Sequence, residues 1–67
     1  MQQKSHRETL IDTYEDLVLL GDLLEHPDAI DRVFNSFYKG RELENLADHE
    51  LVQLINLTLK TLLSLKA

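Results

Sequence analysis

Pro27 is the only proline in the chain, and it interrupts a leucine-rich, helix-favouring run, so the residues on either side of it must form two helices and not one. His26, the residue before it, is pushed out of the helical region by the proline ring, which ends the first helix there. Pro27 itself suits the first turn of a second helix, with Asp28 and Asp31 set against that helix's positive end. Gly40 makes the second break, because it follows an apolar period and can take a positive φ as a C′ residue. The chain therefore divides into three expected helices, at about 6–26, 28–39 and 47–65.

The apolar spacing agrees with that division. Ser5 and Glu8 form the S-x-x-E pattern of a capping box, and Leu10, Ile11, Tyr14, Leu17, Val18, Leu20 and Leu24 then project onto one face at about 100° per residue. In the second segment Ile30, Val33, Phe34, Phe37 and Tyr38 repeat at helical spacing, and Phe34, Phe37 and Tyr38 are expected to plug one end of the molecule. Leu43 and Leu46 pin the connection. The third helix opens with acids. Ala47 is a poor cap, so Asn45 or Asp48 is the expected one. Leu51, Val52, Leu54, Ile55, Leu59, Leu62, Leu63 and Leu65 make a stripe about half the circumference wide, which is enough to touch more than one neighbour.

Lengths then suggest an architecture. At 1.5 Å per residue the first and third helices are roughly 30 Å long and the second under about 20 Å, which fits a long helical hairpin with a short connecting helix. The expected organisation is a single all-α domain over 1–67, with residues 1–5 frayed. A chain this small buries only about 60% of its unfolded surface, and with no cysteine it has neither disulfides nor thiolate metal sites to reinforce it. Two-fold self-association into a four-helix-type core would hide the surplus apolar stripe, so a homodimer is expected.

Gly21 raises a question of its own, since glycine in a helix interior costs about 1 kcal/mol relative to alanine. It projects into the centre of the apolar face, where the missing Cβ would let another helix approach beside Leu17 and Leu24. The expected crossing and dimer core comprises Tyr14, Leu17, Gly21, Leu24, Ile55, Leu59 and Leu62. Leu19 and Leu23 break the pattern. They lie four apart on the acidic side, framed by Asp12, Glu15, Asp16 and Asp22, and an apolar centre with a charged rim is how many protein contact sites are built. These six residues are the expected partner-binding patch. Leu57, on the polar side of the third helix, is a weaker example of the same kind.

The residues that carry chemistry are sparse. No glycine-rich phosphate loop and no strained Ser motif is present, and Asp22 with His26 is the best pair for a metal, which a solvated acid beside a helix-terminal His explains more simply. No catalytic residue, cofactor or metal is expected, and the chain reads as a non-enzyme. Eight acids and no Lys or Arg lie between Arg7 and Arg32, and the net charge is −5, so direct nucleic-acid binding is disfavoured. With no secretory apolar segment and no run long enough to span a membrane, a cytoplasmic location is expected.

Residues 46–51, LADHEL, resemble the L-S-D-x-E-L helix opening of many small bacterial regulators, among them the haemolysin-expression-modulating proteins that partner nucleoid proteins. The match covers six residues, with Ala47 where that pattern has serine. Taken together, the residues suggest a small bacterial or phage regulator, adaptor or inhibitor, homodimeric, that binds a larger protein presenting a basic or apolar surface. The alternative is an accessory or assembly subunit of the co-chaperone kind, stable only in a hetero-complex.

Overall fold

The computed structural model describes residues 5–66 and contains α1 (His6–Leu23), α2 (Pro27–Tyr38), a single 3₁₀ turn (Leu43–Asn45) and α3 (Asp48–Lys66). The described residues include no strand, and none of their helices is long and apolar enough to cross a membrane. The expectation of a frayed terminus at residues 1–4 falls outside the described residues, while Ser5 is ordered as the N-cap of α1.

Ser5 Oγ accepts the backbone N–H of Glu8 at 3.1 Å, as a cap should. The return contact differs from a full capping box, because the Ser5 hydroxyl itself donates to Glu8 Oε1 at 3.3 Å. The end of α1 corrects the sequence reading. The helix stops at Leu23 and not at His26. His26 N–H donates to the Gly21 carbonyl at 2.9 Å and Glu25 N–H to the Asp22 carbonyl at 3.0 Å, the paired bonds of a Schellman motif. Glu25 holds the left-handed position at φ 64°, where glycine or asparagine is usual, so no residue there announces the stop. The proline follows an end already made, and Pro27 opens α2 at its first position.

α2 closes at Tyr38, one residue short of the expected limit. Lys39 at φ −55°, ψ 131° and Gly40 at φ 81°, closed by Arg41 N–H on the Tyr38 carbonyl at 2.9 Å, give the geometry of a type II turn. That turn requires the positive φ for which glycine was expected. α3 begins at Asp48, so Ala47 is its N-cap after all. Ala47 has no side-chain acceptor to offer. Instead Glu50, three residues on, reaches back and accepts the Ala47 N–H at 2.8 Å.

Long-range ties fix the topology. Gly21 lies against Ile30, the rings of Tyr14 and Phe34 are 6.5 Å apart, and the Tyr38 hydroxyl donates to Gln53 Oε1 at 3.1 Å. Arg7 pairs with Asp48 at 3.3 Å and also donates to the Glu44 carbonyl. The two long helices therefore start at the same end and run in the same direction, and α2 runs back against both. This corrects the expected hairpin of the first and third helices. The 12-residue α2, about 18 Å long, is a full return leg and not a connector.

The core draws on every element: Tyr14 from α1, Ile30 and Tyr38 from α2, Leu46 from the connection, and Leu51, Leu54 and Leu62 from α3, with Leu10, Ile11, Leu17, Val18, Leu24, Val33, Phe34, Leu43 and Ile55 packed against it. Ala29 is buried as well, although the spacing did not single it out. Phe37, expected in the aromatic plug, is 55% exposed, with its ring 6.4 Å from that of buried Tyr38.

Candidate interaction surface

α1 presents a row at helical spacing on the side away from Tyr14: Asp12, Asp16, Leu19 and Leu23, with Glu15 and Asp22 beside it. Leu19 is 61% exposed and Leu23 80%. Glu15, Asp16 and Asp22 are exposed, and Asp12 is half-buried. Leu20, assigned to the core face from the sequence, is 38% exposed and adds a third leucine to this surface. The reason is angular: Leu20 stands about 100° round the helix from Gly21, where α2 makes its closest approach.

No cation of α1 interrupts this face. α1 carries no Lys or Arg after Arg7, and Arg7 is held at the far end by Asp48 and the Glu44 carbonyl. Arg32 pairs within α2 with Asp28 at 3.1 Å, and Arg41 lies 3.4 Å from Glu50 and 3.2 Å from the Asn45 carbonyl. The C-terminal half of α1 is thus an apolar patch in an acidic field.

The expected crossing residues separate into two groups. Tyr14, Gly21 and Leu62 are buried within the single chain, Leu17, Leu24 and Ile55 are half-buried, and Leu59 is exposed. A Cβ built on Gly21 would lie 2.6 Å from Ile30 Cγ1 and 3.0 Å from Ile30 Cδ1, so the notch is filled by α2 of the same chain. Leu57, expected on the polar side of α3, is half-buried.

A second apolar row lies on α3. Val52 and Leu59 are each 40% exposed and Leu63 is 59% exposed, with exposed Asn56 among them and half-buried Ile55 alongside. Gln53, which meets Tyr38, borders the row on the side of α2, about 60° round the helix from Asn56. Val52, Leu59 and Leu63 all belong to the wide apolar stripe read from the sequence. The excess width of the third apolar stripe was the signal that some of it would stay uncovered.

The ionisable groups perturbed by their surroundings serve structure. Burial, aided by the Asp31 charge, raises the Tyr14 pKa, and burial with the Glu50 charge raises that of Tyr38 against the opposing Arg41. The Ala47 N–H bond, joined by Arg41 and His49, lowers the Glu50 pKa against partial desolvation. Asp22 and His26 are both exposed, and among the described residues no group of three or more His, Cys, Asp or Glu could hold a metal ion. Thr58 is fully buried on α3, and its hydroxyl has no partner. Compared with protein-family models, curated proteins and solved structures, the chain matches none.

Proposed function

We propose that this chain is a small non-enzymatic interaction module, a self-associating regulator, adaptor or inhibitor that acts by occupying the surface of a larger protein. The observation that carries the reading is the exposure of Leu19 and Leu23, one turn apart at 61% and 80%, among the acids of a helix that carries no Lys or Arg after Arg7. Leucines this exposed add little to the core, whereas an apolar centre ringed by acids is suited to a partner with basic residues around an apolar socket. The acidic rim would speed encounter, and the leucines would supply the contact that desolvates on docking.

The enclosed core, with Leu46, Leu51 and Leu54 at 0% exposure, supports a module that folds by itself over a subunit ordered only in a hetero-complex. The test compares capture by the native chain with capture by a Leu19→Asp/Leu23→Asp variant. A partner with a basic surface should be retained by the first at moderate salt and lost by the second, with helical circular dichroism unchanged. No captured partner, or one that the variant retains equally, would sink the reading.

A further inference from the structure

We infer that the row Val52, Asn56, Leu59 and Leu63 of α3, itself without charge, is the surface on which a second copy of this chain docks, leaving the acid-framed leucines of α1 free for the larger partner. The inference rests on the self-associating part of the proposed function and assigns it a face. Its first support is spacing. The four residues are separated by four, three and four positions, the alternation of a and d sites along a two-helix seam, so they form a straight row about 16 Å long. Three of them are apolar and stand 40–59% exposed in the single chain.

Charge supplies the second support and chooses the occupant. α3 has no ionisable side chain between Glu50 and Lys60, the four residues of its row carry none, and the charge at the row's edge, Lys60 one turn beyond Asn56, is a cation and not an acid. Each copy has a net charge of −5. A two-fold interface sets the same patch against itself, so a contact through Leu19 and Leu23 would bring the acids Glu15, Asp16 and Asp22 of one protomer close to those of its partner. Like charges facing each other oppose that arrangement, and the uncharged row of α3 avoids it. A second copy therefore fits α3, and a basic partner fits α1.

Asn56 sharpens the assignment. It is the one polar residue in the row and occupies an a position, where a single asparagine fixes register and oligomeric state at some cost in stability. An asparagine exposed on an isolated helix would have no such consequence.

The experiment is sedimentation equilibrium over a range of concentrations, with helicity followed by circular dichroism. The native chain should show a two-chain mass, Leu59→Asp/Leu63→Asp should shift it to one chain with helicity retained, and Leu19→Asp/Leu23→Asp should leave it at two. Asn56→Leu should move the transition to lower concentration. Should the α3 variant lose its helicity, the absence of native cysteine permits a second measurement, with a bismaleimide added to the folded Asn56→Cys and Asp16→Cys chains. Covalent dimers from the first and none from the second are expected. A native chain that stays monomeric to its solubility limit overturns the inference. So does a two-chain mass that survives in the α3 variant, one lost in the α1 variant, or cross-linking at Asp16→Cys alone. Partner capture by α1 is read separately, so either proposal can fail while the other stands.

Discussion

At the scale of single residues, Gly21 shows how one atom left out of a helix decides a packing contact. Its helical propensity is poor, and alanine there would gain about 1 kcal/mol if nothing stood in the way. Ile30 stands in the way, with Cγ1 2.6 Å from where the Cβ would lie. Ile30 is buried, and a β-branched side chain has few rotamers to which it can retreat. The clash should outweigh the propensity gain, since overpacking of this kind costs about 1–3 kcal/mol. Gly21→Ala is therefore expected to lower stability in urea unfolding. In an Ile30→Ala background, where both crowding atoms are gone, the same substitution should raise stability by up to about 1 kcal/mol. A change of the same sign in both backgrounds would show that Ile30 is not what the glycine accommodates. Thr58 is the converse case, a polar atom buried without a partner in the middle of α3, and no contact in the structure explains it.

At the scale of elements, the start of α3 is a capping box with one half missing. Glu50 accepts the Ala47 N–H, but Ala47 cannot accept in return. Ala47→Ser would supply the hydroxyl at an exposed position, and restoring a good N-cap stabilises by about 1 kcal/mol, which in a domain of this size raises the melting temperature by roughly 4–8 °C. An unchanged melting temperature would mean that the helix does not begin at Asp48. The serine of the resembling L-S-D-x-E-L pattern falls on this N-cap, a role that the six residues alone did not disclose. The starts of α1 and α2 were legible because their signals are local, as at Ser5 with Glu8 and at Pro27, whereas the Ala47 cap of α3 carries no such signal. The end of α1 was not, because Glu25 holds a glycine's conformation and its bonds to the previous turn have no spelling in the sequence. Faces were legible to within about one residue's rotation. Leu20 and Leu57 exchanged their expected exposure because projection locates the centre of a stripe but not the edge of its neighbour. The direction of α3 relative to α1 depended on whether α2 was a leg or a link, which the apolar spacing cannot distinguish and the Arg7–Asp48 pair decides.

At the scale of the whole molecule, the two unburied apolar surfaces differ in charge, and salt should therefore move their contacts in opposite directions. Two copies at −5 each repel as they approach through the uncharged row of α3, and added salt screens that repulsion: the Debye length falls from about 10 Å at 0.1 M to about 3 Å at 1 M. Burial of Val52, Leu59 and Leu63 is not weakened by screening. Self-association should thus tighten as sodium chloride is raised, shifting the sedimentation midpoint to lower chain concentration. The proposed Leu19 and Leu23 contact should behave otherwise, because Glu15, Asp16 and Asp22 would attract a basic partner through water and salt would remove that attraction. Partner binding should weaken over the same titration, chiefly through a slower association rate, while its dissociation rate, governed by the desolvated leucines, changes little. Measuring both equilibria in one salt series gives a sharp criterion. If self-association weakens along with partner capture, then the copies meet through complementary charges, and the uncharged row on α3 is not where they touch.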